Sequence, residues 1–269
     1  PYAMKVSDHT FHDHEKHATQ RLTLTGALAV SSNTGAIQVG QLLGADTLYS
    51  YLTKFGIGSQ TGSNLPGESA GLLPVRSKWS GTTMPTVSFG QGYSVTAMQA
   101  TAVFATIAND GVRVPPTVVA GTSSGTGSFT PMSAASGVRV ISKENAQTLR
   151  LMLESVVSDQ GTAPSAAIKG YRIAGKTGTA MRFSDACGCY SGYTASFIGM
   201  APADKPAYVV SVAIQAPQGI HWGGYLGGPV FKKVMSYVLE AKHIPPTNTV
   251  ATRFPLSEAD LTAGLKAKQ

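Results

Sequence analysis

The chain has 269 residues, 42% of them hydrophobic and 13% charged, with 30 glycines and 15 prolines; that is enough to bury a full core and describes a loop-rich globular protein, excluding a small stapled scaffold. Lys and Arg number 21 against 14 Asp and Glu, a net charge of +7 that suits an anionic surface such as a cell wall, a lipid headgroup layer or nucleic acid. No basic run carries interleaved aromatics, which argues against a nucleic-acid partner, and no apolar run approaches the roughly 18 residues that span a bilayer.

The chain opens at Pro1-Tyr2-Ala3-Met4 with neither an initiator methionine nor a signal peptide's charged and apolar regions, the pattern expected of a processed piece or an excised domain. Residues 1–20 are polar and rich in histidine. Leu22, Leu24, Ala27, Leu28 and Val30 then lead into Ser31-Ser32-Asn33, and Ile37, Val39, Leu42 and Leu43 follow; the spacing predicts two short helices meeting at that tripeptide. Asp46 or Thr47 is the expected cap of a further helix through Leu48, Tyr51 and Leu52, which ends at Phe55-Gly56, where a C-terminal cap calls for glycine. A long stretch rich in glycine and proline runs on to residue 90.

Thr96-Ala97-Met98-Gln99 is a capping-box pattern. The helix behind it presents the small residues Thr101, Ala102, Ala105 and Ala108 for close packing and stops at Asn109-Asp110-Gly111. Residues 112–120 and 138–141 read as strands around a loop at 121–137 with too few apolar groups to hold one conformation firmly. Ser142 is the expected cap of another helix, with Ala146, Leu149, Leu153 and Val156 or Val157 facing inward, ending near Gly161. Residues 171–181, 193–200 and 208–215 read as strands, and the short turns at Cys187-Gly188-Cys189 and at 202–206 imply an antiparallel meander. Val230, Val234, Tyr237 and Val238 predict a helix packed on that sheet, and beyond Pro245-Pro246 the chain runs out as a polar tail. Helices first and sheet last indicate an α+β domain.

Two short motifs carry chemistry. Lys176-Thr177-Gly178-Thr179 on a strand places a fixed cation and two hydroxyl donors on one strand face, with a glycine over which a substrate backbone can lie; taken alone it could equally be an exposed edge strand with a solvated lysine. Ser31-Ser32-Asn33, between two helices, presents a hydroxyl and an amide from a fixed corner, and its structural alternative is helix capping by Ser31 and Asn33. In this order the pair resembles the penicillin-binding transpeptidases and serine β-lactamases. Flanking text narrows the match: residues 24–33, Pro66-Gly67-Glu68, Gly71-Leu72-Leu73-Pro74, residues 89–96 with Met98-Gln99, Ala108-Asn109-Asp110-Gly111, and Gly161-Thr162-Ala163 ahead of Ala174-Gly175-Lys176. Over residues 1–240 the chain resembles class B penicillin-binding proteins, most of all the division-specific, FtsI-like actinobacterial enzymes.

That resemblance implies an α+β fold of the β-lactamase/transpeptidase type, with an antiparallel sheet between helical layers and incomplete at its N-terminus. It implies a transpeptidase domain over 1–245 and a C-terminal tail over 246–269. The implied activity is D,D-transpeptidation of peptidoglycan stem peptides through a serine acyl-enzyme, with β-lactams as substrate mimics and no cofactor or metal. Ser31 is then a proton relay, Asn33 and Lys176 its catalytic companions, and Thr177, Gly178 and Thr179 bind the substrate carboxylate, with the Thr179 N–H as an oxyanion donor. One departure stands out: no serine here is followed three residues later by a lysine, so the family's Ser-x-x-Lys nucleophile is expected upstream of residue 1. A membrane anchor, an extracytoplasmic location and partners in a division or elongation complex follow from the same resemblance, and the isolated chain is expected to be inactive. A D,D-carboxypeptidase or β-lactamase-like hydrolase is the enzyme alternative, and a non-catalytic penicillin-binding sensor or scaffold the alternative of another class.

Asp8-His9, His12, Asp13-His14, Glu15 and His17 match no zinc spacing and read as a solvated polar connection. Cys187 and Cys189 read as free thiols, an i to i+2 bridge being the strained alternative. Tyr190, Tyr193, His221 and Trp222 either line a cleft mouth or pack against one another.

Overall fold

The computed structural model describes residues 1–125, 127–133, 135–184 and 186–266. The polar start is folded. β1 (Ala3–Val6) pairs antiparallel with β2 (His9–His12) around Ser7 at φ 56°, and Phe11 turns into the core. Two helices, α1 (Leu24–Ala29) and α2 (Asn33–Leu43), meet at the serine corner as expected. α3 (Ala45–Lys54) starts after Gly44 with no side-chain cap, Asp46 lying in its first turn instead, and it stops before Gly56 at φ 94°. The glycine- and proline-rich stretch contains a helix of its own, α4 (Thr83–Ser88), packed against α2. Six residues with a proline among them leave little periodicity to read.

α5 (Ala97–Ala108) opens with the expected capping box, in which Thr96 and Gln99 each bind the other's backbone N–H. β3 (Val112–Arg113) is cut short because Pro115 and Pro116 have no N–H to donate. β4 (Gly121–Ser123) and β5 (Phe129–Pro131) form a hairpin inside the stretch expected to hold no firm conformation, whose positions 126 and 134 lie outside the described residues. β6 (Val138–Arg139) returns to pair with β3. Ser142 caps α6 (Lys143–Glu154), which buries Ala146 and Leu153.

β7 (Ala174–Ser184), β8 (Cys189–Ala201) and β9 (Tyr208–Gln215) form the main sheet in that order, all antiparallel, with β7 at an edge. Lys176 pairs with Ile198 and Thr177 with Phe197, so alternate residues of β7 face opposite layers. On one side Phe197 and Ala201 pack under α7 (Gly223–Ala241); on the other Ala174 and Met200 pack under α5 and α6 with Ile107 and Leu153. The fold is thus α+β, a sheet between helical layers. The turn joining β7 to β8 brings the two cysteine Cα atoms within 5.2 Å across Gly188, and Cys187 and Cys189 are disulfide-bonded rather than free thiols.

α7 packs by a different face from the one its large residues suggest. Gly223, Gly224, Gly227 and Gly228 lie buried against the sheet, followed by Phe231, Met235 and Leu239, while Val230, Val234 and Tyr237 are 41%, 42% and 72% exposed. A Cβ at Gly227 would stand 2.9 Å from the Phe197 Cβ, so the first half of the helix lies closer to the sheet than any side chain permits. The second half fills the widening gap with side chains whose complete burial is worth about 2 kcal/mol each. After residue 245 the chain crosses back to α1: Leu256 accepts from Thr23 N–H at 3.0 Å, Glu258 N–H donates to Arg21 O at 3.0 Å, and α8 (Glu258–Lys266) follows.

Candidate active site

The corner between α1 and α2 is built so that Ser31 is free. Ser32, not Ser31 or Asn33, caps α2: its hydroxyl accepts from Gly35 N–H at 3.0 Å and donates to Asp13 Oδ2 at 2.9 Å. Ser31 stands at φ 58°, a left-handed conformation that costs a residue with a side chain about 1 kcal/mol. Asn33 begins the helix and ties its amide to the β2 hairpin, Nδ2 donating to His12 O at 2.8 Å.

Asp13 anchors this corner. Only 7% exposed, its carboxylate accepts from Thr34 N–H at 2.9 Å, Ser32 Oγ at 2.9 Å and His17 Nε2 at 3.0 Å, while the single Thr34 Oγ1 proton goes to Pro1 O at 2.7 Å. Burial alone would raise its pKa, but the hydrogen bonds from Thr34, His17, Ser32 and the Asn33 backbone outweigh it and hold the carboxyl below its ordinary range. His17 has both ring nitrogens on acceptors, the Ala18 carbonyl at 2.7 Å and Asp13, and these two partners raise its pKa. The expectation of a solvated polar connection is therefore corrected at Asp13. The histidines pack against aromatic rings: His9 meets Phe11 edge-on, Tyr2 meets His12 at a tilt and His17 edge-on, and His14 meets Trp222 edge-on.

Lys176 crosses from the sheet to the corner. Its Nζ donates to Ser31 Oγ at 2.8 Å, to Thr177 O at 3.2 Å and to Thr177 Oγ1 at 3.3 Å, using all three protons. No carboxylate among the described residues forms an ion pair with it, and burial brings its pKa down to about 8. The cation and the two threonine hydroxyls do not share one strand face, as the sequence suggested. Lys176 faces the helical layer of α1, while Thr177 and Thr179 face α7, and the groups converge because β7 is an edge strand. Thr177 O points to the free edge to meet Nζ, and by the strand's two-residue repeat the Thr179 N–H lies along the same edge.

The α7 layer sets the hydroxyls. Thr179 Oγ1 accepts from Gly223 N–H at 3.1 Å, at the helix N-terminus, and Thr177 Oγ1 lies 2.8 Å from Thr162 Oγ1. Gly178 completes the strand edge; a Cβ there would stand 2.5 Å from Ser196 Oγ. These groups line a cleft of about 1050 Å³ together with Ser31, Asn33 and Phe89. Trp222 and His14 line the cleft and meet edge-on; His221 packs on Trp222 and stacks on Tyr193 at 4.0 Å outside the lining, and Tyr190 packs on Phe183 near the end of the β7–β8 hairpin. The sequence reading names Asp13 only within a solvated connection and Thr162 only within the family text, with no role for either, and the α7 glycines escape it. The glycine run Gly223-Gly224 with Gly227-Gly228 was the available signal for a close approach; Asp13 gave none. Chemically, the site offers a cation whose pKa lies near neutrality, a serine hydroxyl that accepts from it and keeps its own proton, and hydroxyls placed to bind an anion.

The chain matches the profile described as the penicillin binding protein transpeptidase domain over residues 1–236. It is 42% identical over 255 residues to penicillin-binding protein PbpB of Mycolicibacterium smegmatis, covering 91% of this chain and 39% of that protein. It is 34% identical to peptidoglycan D,D-transpeptidase FtsI of Escherichia coli K12, covering 98% and 43%. Among solved structures it superposes with a TM-score of 0.89 on penicillin-binding protein 3 of Mycobacterium tuberculosis complexed with ampicillin, at 38% identity, covering 96% of this chain and 59% of that one. The chain thus spans about two fifths of the length of these curated relatives.

Proposed function

The chain belongs to the penicillin-binding protein transpeptidase family, and from that membership we propose that it forms the receiving wall of a peptidoglycan D,D-transpeptidase active site that β-lactams also occupy. The observation that carries the reading is the 2.8 Å hydrogen bond from Lys176 Nζ to Ser31 Oγ, which joins the two motifs across 145 residues.

In this reading the attacking serine and its lysine base lie in a Ser-x-x-Lys segment outside this sequence. The serine adds to the carbonyl of the D-alanyl-D-alanine amide as its lysine takes the hydroxyl proton, the Thr179 N–H receives the developing oxyanion, and the C–N bond breaks as Ser31 passes its proton to the leaving nitrogen and takes one in turn from that lysine. D-alanine departs, an amine of a neighbouring stem attacks the ester, and the C–O bond breaks as the amine's surplus proton returns through the lysine to the released serine, leaving the new amide. Asn33 orients the substrate amide and the upstream lysine. Lys176 supplies positive potential, and Thr177 and Thr179 bind the terminal carboxylate across Gly178. Residues 1–245 form the transpeptidase unit and 246–269 its tail. Among the described residues no helix is long and apolar enough to cross a membrane; we place the anchor upstream, the site on the extracytoplasmic face, and its partners in a division or elongation complex. Fluorescent penicillin tests the placement of the nucleophile and the acylation: a form carrying the upstream segment should be labelled covalently and this chain alone should not. Label on this chain would overturn the placement of the nucleophile, and no label on the longer form would overturn the function.

A further inference from the structure

We propose that Thr162 is a positioning residue for the carboxylate of the ligand, supplying the proton that lets Thr177 turn its own toward the anion. The inference rests on the reading of Thr177 as a carboxylate contact, and it follows from counting protons at the site.

The Lys176 ammonium places one proton each on Ser31 Oγ, Thr177 O and Thr177 Oγ1. Thr177 Oγ1 therefore already accepts one hydrogen bond, and it has one proton and one lone pair left. Its remaining neighbour is Thr162 Oγ1 at 2.8 Å. With no anion in the cleft the Thr177 proton can rest on Thr162. When a carboxylate arrives, Thr177 must donate to it, and the bond between the two threonines survives only if Thr162 becomes the donor. A hydroxyl can make that reversal, and among the described residues Thr162 Oγ1 has no second protein partner.

Thr162 is seated to do this without moving. Gly161 N–H is bonded to Ser158 O at 2.9 Å, Ala163 N–H to Val156 O at 2.9 Å, and the Thr162 carbonyl lies where a Cβ on Gly224 would fall. Thr179 needs no such partner, because the Gly223 backbone N–H can only donate to it and its own proton is always available. The two carboxylate hydroxyls are thus set by different means, one by a fixed donor and one by a reversible donor.

The test is a chemical-shift titration of this chain with N-acetyl-D-alanyl-D-alanine and with its C-terminal amide. The unmodified chain and Thr162→Ser should both prefer the acid, while Thr162→Val, nearly the same in shape but without a hydroxyl, should lose roughly fivefold in affinity for the acid and none for the amide. Three results would overturn the proposal: no preference for the acid in the unmodified chain or in Thr162→Ser, an unchanged acid affinity in Thr162→Val, or an equal loss of acid and amide in Thr162→Val. Failure of a longer form to take up penicillin would instead sink the transpeptidase reading, with the dependence of acid binding on Thr162 intact.

Discussion

Lys176 and Ser31 are 145 residues apart in the chain and 2.8 Å apart in space, joined by a half-buried cation with no carboxylate in ion-pair contact among the described residues. A charge kept out of water without an ionic partner opposes folding. Lys176→Met should therefore hold or gain stability in urea unfolding while penicillin labelling of a form carrying the nucleophile falls by at least about 100-fold. A stability loss with labelling preserved would make the lysine structural.

The same group gives a pH signature. Its folded pKa of about 8 lies below a lysine's ordinary value of 10.5, so the folded state holds its proton less tightly than the unfolded chain. The penalty is complete below pH 8, shrinks as pH rises from 8 to 10.5, and is gone above that. Unfolding free energies of the unmodified chain and Lys176→Met, measured from pH 7 to 10.5, should converge in the unmodified chain's favour as pH rises.

Asp13 and His17 act oppositely on the serine corner. The lowered pKa of Asp13 contributes stability above its unfolded value near 3.8 that is lost as pH falls through the folded value; the raised pKa of His17 contributes stability below 6.5 that is lost as pH rises through its folded value. The joint contribution should peak between these limits, read as the pH-dependent difference between the unmodified chain and Asp13→Asn with His17→Gln. Asp13→Ala, which strands the Ser32 and Thr34 donors, should cost about 3 kcal/mol near neutral pH.

Gly224→Ala forces a methyl group into the Thr162 carbonyl. It should destabilise the chain by about 2 kcal/mol and displace the start of α7 from Thr179, visible as a loss of preference for a carboxylate ligand.

Reduction of Cys187–Cys189, or Cys187→Ser with Cys189→Ser, should change global stability by roughly 1.5 kcal/mol or less, because the bridge closes over a single residue. Proteolysis should increase at the β7–β8 turn and leave the Lys176 strand intact.

Much of this was legible from local signals. The Thr96 and Ser142 caps, the glycine after α3, the three-strand meander and the serine corner each depend on residues close in sequence. What was not legible depends on partners far apart. Asp13 is a core residue only because Thr34 and Ser32 come to it. α7 packs by its glycines because the sheet arrives too close for valine, so the larger residues at 230 and 234 turn outward. Lys176 and Thr177 act together across two faces because, among the described residues, no strand flanks β7 on its outer side. Ser32 competes with its neighbours for the same capping role, and the side chain that wins decides which hydroxyl faces the cleft.

The contact of residues 255–258 with Arg21 and Thr23 makes the far end of the chain a mechanical handle on α1. That helix is six residues long, about 9 Å from end to end, and Ser31 follows directly after its other end. Tension applied beyond residue 258, by a surface tether or by anything fused there, is borne at the base of the helix that sets the serine, so force on the terminus is transmitted to the cleft over a single short lever.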